Sequence, residues 1–338
     1  VPTWVFRGTV LPDDVEGEVT AGAGEPTRLP GRFALPGLVD AHCHLSVTAD
    51  DDGPYLGAPR LAEENLAKLA RQGVGLVRDV GGERTATLRL GPRDGRPEVQ
   101  AAGRFFAPEG RYFPRMHEPV PEAGLVAAVH REIDDGARWI KLVADFPLFV
   151  DGERVPGSTP EQTYSTAAVA AVVGAAHERG VRVAAHCTTE LAAALIAAGV
   201  DSIEHGTALT SDDIAALAAR GGGWTPTLTA VLGADPAGYS ERGRALSNRL
   251  SELLPHAIAS GVHVMTGSDI VGSVAGEIAK LVEHGVTPEA ALRAATTSAR
   301  EFLGVAGTDL VTYDKDPRED PETLRHPAAV VLRGTRVS

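Results

Sequence analysis

Apolar positions along this chain follow two alternating patterns, regular enough to predict a fold. Short, nearly continuous runs rich in β-branched and apolar residues occupy 37–44, 75–80, 98–105, 139–144, 182–187, 202–205, 224–228 and 263–268. They predict eight strands buried on both faces. Stretches with helical spacing intervene at 61–71, 123–136, 166–179, 191–198, 212–220 and 244–260. Gly136, Gly180, Gly199, Gly221 and Gly261 stand where a left-handed residue ends a helix. Two more helices, 276–284 and 288–303, follow the last strand; Thr287 is the N-cap of the second and Pro288 its first helical residue.

Strand-then-helix repetition predicts an α/β fold, a (β/α)8 TIM-like barrel with its active site at the carboxyl ends of the strands. A doubly wound open sheet is the alternative. It accounts poorly for candidate ligands recurring on strands one, four, five, six and eight. Shorter β-like pieces, such as Trp4-Val5-Phe6, occupy the first 33 or so residues, and 309–313 and 328–332 resemble them. The two terminal segments are expected to pair. Residues 1–33 with 308–338 then form a small β-sandwich-like domain beside a barrel of 34–307. The stretch 106–122, rich in Pro, Arg and Glu, reads as an active-site loop after strand three.

A chain of 338 residues is long enough for a barrel of roughly 250. The net charge of −13 argues against nucleic acid or an anionic membrane surface as partner, leaving a small-molecule substrate. Self-association into a homo-oligomer is left open. Two cysteines imply no disulfide framework; Cys43 and Cys187 each follow a candidate histidine and should face the helix layer. No apolar run approaches the roughly 18 to 20 residues of a membrane span. Val1-Pro2-Thr3 shows no signal pattern, so a cytoplasmic protein is expected.

Candidate chemistry gathers at strand ends. His42 and His44, two apart on a strand, project to one face and can grip one cation. Lys141 sits in the apolar strand Trp139-Ile140-Lys141-Leu142-Val143, where burial should lower its pKa. A neutral amine there can react with carbon dioxide, giving a carbamate able to bridge two metals. The plainer reading is a lysine snorkelling to pair with Asp145. His186 and His205 each end an apolar strand, and Asp269 closes Val264-Met265-Thr266-Gly267-Ser268-Asp269. Taken singly, these are core histidines and a helix N-cap. Because all fall at the same strand end, together they read as a two-cation site.

With Leu35-Pro36-Gly37-Leu38-Val39-Asp40-Ala41-His42-Cys43-His44-Leu45, Ile140-Lys141, Ala185-His186, Asp201-Ser202-Ile203-Glu204-His205-Gly206, Thr225-Pro226-Thr227-Leu228 and Thr266-Gly267-Ser268-Asp269, the chain resembles the amidohydrolase superfamily. Within it, the likeness is to prolidase-like Xaa-Pro dipeptidases and imidazolonepropionases. The resemblance implies a (β/α)8 barrel with a small β-domain from both termini. It also implies ligation of two divalent cations, zinc the expected metal, by His42, His44, carboxylated Lys141, His186, His205 and Asp269. Imidazolonepropionases use one metal without such a lysine, so Lys141 favours two. The segment Val305-Ala306-Gly307-Thr308 is shorter than the family's usual glycine turn.

The expected reaction is attack by metal-bound hydroxide on an amide-type C–N bond, in a dipeptide, N-acyl amino acid or cyclic amide. Asp269 would carry the proton to the leaving nitrogen. His117 best matches a family histidine that assists the carbonyl. Arg111, Tyr112 and Arg115, in the same loop, are candidates for gripping substrate, an arginine pairing with a carboxylate; Tyr164 and Thr227 are weaker pocket candidates. Lactone, carbamate or phosphotriester cleavage on the same site is the alternative, and a non-catalytic binding protein is third. A deaminase is disfavoured, because Thr188-Thr189 and Gly206-Thr207 offer no glutamate after the strand-end histidines.

Overall fold

Eight parallel strands carry the α/β core of the computed structural model, which describes residues 3–21 and 24–338. Val1 and Pro2, read above for a signal pattern, lie outside the described residues. The strands are β1 (Leu38–Cys43), β2 (Val74–Asp79), β3 (Glu98–Ala101, resuming at Phe105–Phe106), β4 (Trp139–Val143), β5 (Arg182–Cys187), β6 (Ser202–His205), β7 (Gly223–Thr225) and β8 (His263–Val264). Hydrogen bonding divides them into two arcs. One runs β1, β2 and the first part of β3; the other runs from the second part of β3 through β8. The outer edges meet through Ala41 N donating to Thr266 O at 2.8 Å and Asp269 N donating to His42 O at 2.7 Å. These are single bonds and an isolated bridge between Cys43 and Asp269, not a continuous ladder. The arrangement is a TIM-like α/β barrel with an added terminal sheet.

Both termini build that sheet. Thr3–Val10 pairs antiparallel with Val15–Ala21 and parallel with Phe33–Pro36, which pairs on its other side with Leu310–Tyr313. Its seven strands form one hydrogen-bonded sheet built from both termini. Phe33–Pro36 is bonded on both edges and joins the N-terminal strands to the C-terminal ones. That strand also carries the sheet past residue 33.

Several elements differ from those expected, for local reasons. The seventh strand stops at Thr225, because Thr227 takes a left-handed φ of 45° and Leu228–Leu232 is helical. The expected helix 288–303 is broken into Pro288–Ala294 and Thr297–Leu303. At the break the Ala295 carbonyl accepts from Val39 N of β1, and Thr296 Oγ1 donates to Leu292 O. After β1, Val47–Asp50 and Gly53–Leu56 form a hairpin that the alternation did not indicate.

Inside the barrel, Val39, Ala41, Leu76, Trp139, Ala184 and Met265 pack into an apolar cluster. Cys43 and Cys187 belong instead to the outer core with helix residues such as Leu195 and Ile214, as their place beside the histidines predicted. Among the described residues no helix is long and apolar enough to cross a membrane.

Candidate metal centre

Strand alternation alone would not bring the strand-end residues together. Val39 and Ala41 face the barrel interior, so a regular β1 would turn Cys43 inward and both histidines out. A register irregularity between Asp40 and Cys43 reverses the sense and points His42 and His44 inward. On β6, Glu204 bonds inward, and a left-handed φ of 67° at His205 turns the next side chain to the same cavity. Asp269 takes a φ of 53°. Backbone in this region is costly for residues with a Cβ, and such strain collects at functional sites.

The result is one cavity of about 360 Å³ whose lining includes His42, His44, Lys141, His186, His205 and Asp269. Ring centroids of His186 and His205 lie 4.5 Å apart, those of His42 and His205 5.0 Å, and those of His42 and His44 5.2 Å. His42, His205 and Asp269 each offer a ligand atom, all within 4.8 Å of one another. His44 Nε2 lies 3.4 Å from Asp269 Oδ1.

Three rings have their tautomer set from behind. His42 Nδ1 donates to Glu204 Oε2 at 2.6 Å, and His44 Nδ1 donates to Gly81 O at 2.8 Å. The Thr227 hydroxyl donates to Pro226 O, leaving its oxygen to accept from His205 Nδ1 at 2.6 Å. Each Nε2 therefore keeps its lone pair, as metal ligation requires. Burial lowers the pKa of all four histidines, to about 4 for His186, so the rings are neutral at pH 7.

Lys141 Nζ is buried and has no hydrogen-bond partner among the described residues, and desolvation lowers its pKa to about 8. The alternative pairing with Asp145 is not formed. Asp145 accepts instead from the backbone N and hydroxyl of both Thr188 and Thr189, at 2.8 to 2.9 Å for the closest bond of each group. An orphaned buried amine of lowered pKa, beside three imidazoles with a free Nε2, a fourth histidine and a carboxylate, fits a divalent cation site.

The loop residues are placed differently. Tyr112 lines the cavity, and burial raises the pKa of its phenol. Arg111 bonds to Glu161 at 2.7 Å, while Arg115 pairs with Asp50 and stacks over Tyr55. Neither lines this cavity, and nearby carboxylates hold both guanidiniums. His117 bonds to Phe113 O through Nδ1, packs 5.6 Å from the Tyr112 ring and is also outside the lining. The Tyr164 hydroxyl donates to Val120 O in the core, and the Thr227 hydroxyl oxygen accepts from His205 Nδ1.

Sequence reading assigned no role to Glu204 or Arg78. Arg78 is fully buried; its Nη2 donates to Glu204 Oε1 at 2.8 Å, its Nε to Ala41 O, and its guanidinium lies 4.5 Å from the Trp139 ring. Glu204 thus links a buried cation to His42. The available signal was a charged residue inside each of two apolar strands, which burial permits only when paired.

Comparison with known proteins finds similarity over nearly the whole chain. An uncharacterized protein of Mycobacterium tuberculosis is 36% identical over 360 residues, covering 97% of this chain and 94% of that protein. A solved Xaa-Pro dipeptidase with methionine bound in its active site shares the fold, with a TM-score of 0.78, 23% identity and 99% of each chain covered. The A. niger ochratoxinase does so with a TM-score of 0.76, 19% identity, and coverage of 99% of this chain and 95% of its own. The amidohydrolase family model matches residues 33–316, and the chain belongs to the amidohydrolase family.

Proposed function

We propose that this protein is a metal-dependent hydrolase that cleaves an amide-type C–N bond of a small molecule, in a closed (β/α)8 barrel. His42, His44, Lys141 as its carbamate, His186, His205 and Asp269 would hold two divalent cations, zinc the expected metal. The observation that carries this is the convergence of all six on one cavity, with Lys141 Nζ buried and unpartnered. Cations held there supply Lewis acidity, letting water ionise near neutral pH and polarising a substrate carbonyl.

The chain's own residues do the rest. With a pKa of about 8, roughly a tenth of Lys141 is neutral at pH 7. The amine lone pair forms a bond to carbon dioxide, the C=O pair moves to oxygen, and nitrogen loses its proton. Two carboxylate oxygens replace one orphaned ammonium. Asp269 takes the proton of the attacking water and delivers it to the leaving nitrogen. The Tyr112 phenol stays protonated in its dry setting and can donate to the substrate carbonyl oxygen. Glu204 keeps the His42 ring in one orientation.

The test is metal analysis together with a rate screen of the zinc- and bicarbonate-treated protein against dipeptides, N-acyl amino acids, cyclic imides, lactones and organophosphates. Close to two cations per chain and turnover of an amide are expected. Lys141→Ala should lose activity that short carboxylates partly restore. Less than one cation per chain would favour a binding protein, and turnover of lactones or organophosphates alone would move the reaction to those bonds.

A further inference from the structure

Resting on that hydrolase reading, we infer that the substrate carries an uncharged apolar group, phenyl-sized or larger, on one side of the scissile bond. Its seat is the 360 Å³ cavity above the convergent residues, a volume within the usual range for a small-molecule pocket. Apart from that polar floor and Tyr112, the walls are Ala49, Pro54, Phe113, Phe146, Ala230, Ile270 and Val271. The aromatic rings form a packed face: Tyr112 to Phe146 is 4.9 Å and Phe113 to Phe146 is 5.0 Å between centroids.

Charge points the same way. Among the described residues, the only Lys or Arg lining this cavity is Lys141 at its floor. Arg111 and Arg115, the nearby candidates for a carboxylate, are held by Glu161 and Asp50. A carboxylate entering here would lose water and gain no guanidinium. At the mouth, Ile270 and Val271 are 37% and 68% exposed, two of the four large apolar side chains so exposed among the described residues. An apolar ligand lying across them removes that surface from water.

A neighbouring cavity of about 430 Å³ shares His186, His205, Ala230 and Asp269, and its mixed lining adds Thr188, Thr207, Ser240 and Arg242 to Val231 and Leu246. The two cavities meet at Asp269, so the two halves of a substrate face different chemistry. The apolar half belongs on the aromatic side, and a polar half on the other or in the basic cavity of about 520 Å³ that also reaches Asp269, lined by Lys68, Lys280 and Arg325.

The experiment varies one half at a time on the zinc- and bicarbonate-treated protein. One arm compares acetyl, phenylacetyl and succinyl amides of glycine; the other compares acetyl amides of glycine, phenylalanine and aspartate. In one arm the aromatic member should exceed the small one in kcat/KM by about 10- to 100-fold, as burial of a Phe-sized group provides, and the charged member should gain nothing. The arm that responds identifies which half enters the aromatic cavity. Val271→Asp, at an exposed position, and Phe113→Ala should each shrink that preference. Calorimetry with phenylacetamide and succinamate supplies a readout without turnover, and only the first should bind.

Flat series in both arms, or a preference for the charged member, would overturn the inference while leaving the hydrolase reading intact. Phenylacetamide binding without turnover of any amide would sink the hydrolase reading and keep the cavity assignment. Neither binding nor turnover would remove both.

Discussion

The carboxyl ends of the strands and the two arginines of loop 110–117 use their polar groups in opposite ways, although His117 Nε2 in that loop is also buried without a partner among the described residues. At the strand ends, polar groups sit in a dry interior with at least one valence left open: the Nε2 atoms of three oriented histidines, and Lys141 Nζ with no partner. In the loop, Arg111 and Arg115 find carboxylates on neighbouring segments, while Tyr112 and Phe113 turn ring surface to the cavity. A buried polar atom without a partner is costly, and it persists where a ligand or reaction completes it. A surface charge that already has its counter-ion braces the loop.

That contrast is most sharply broken at Asp269. Replacing it with Asn keeps size and one ligand oxygen but removes the group that accepts the proton. Turnover should fall by about 10²- to 10⁴-fold, the usual contribution of a positioned general base, while much of the metal stays bound. Rates and metal content of the same preparation decide it. Near-normal turnover would take the proton-carrying role away from the strand ends.

Next in size is Glu204→Gln. The substitution leaves the Arg78 guanidinium buried without its counter-charge and frees the His42 ring to change tautomer. Removing one partner of a buried ion pair costs about 3–5 kcal/mol, and loss of a group that orients a metal ligand costs about 10- to 100-fold in metal affinity. Urea unfolding and zinc titration measure the two effects. Arg78→Met combined with Glu204→Gln should recover part of the stability but not the affinity, because the double variant removes the stranded cation and leaves His42 unoriented.

The strand ends were legible in the sequence because barrel strands are apolar, and a histidine or lysine in such a run stands out. The order of elements and the pairing of terminal β segments followed from the same alternation. Side-chain direction at His42 and His205 did not. It depends on an irregularity in β1 and a left-handed residue in β6, which no period-two reading contains. The ion pairs of Arg111 and Arg115 were hidden for a different reason. Their partners Glu161 and Asp50 are 50 and 65 positions away, so the loop's charge looked unclaimed. Glu204 lay in a quoted motif, but its role depends on Arg78 from another strand.

Lys141 gives a pH test of the same dry interior, made on metal-free protein without carbon dioxide. Its pKa is about 8 when folded and near 10.5 when unfolded. Between those values the unfolded chain binds the proton that the native chain has released, so this residue makes stability rise as pH increases through the window. Below pH 8 both states are protonated and the penalty of the buried ammonium is fully present, on the order of 3 kcal/mol for a shift of this size. Lys141→Met should therefore be more stable than the native sequence at pH 7.5, with the gap closing toward pH 10.5. A gap that is constant with pH would mean that the amine is solvated, and the strand ends would then resemble the loop.

The smallest effect is expected in the loop itself. Arg111→Ala removes a partly exposed pair with Glu161 and a bond from Nη1 to Phe146 O at 3.3 Å. Exposed pairs of this kind contribute about 0.2–1 kcal/mol, so the variant should unfold at nearly the native urea concentration. Its kcat/KM should change by less than about fivefold, because the only route to the cavity is slight loosening of Phe146. The same modest change should appear for neutral and carboxylate-bearing substrates. A selective loss of 100-fold or more for the carboxylates would show that Arg111 leaves Glu161 to hold them. The contrast between a braced loop and an open-valence strand end would then hold only before substrate arrives.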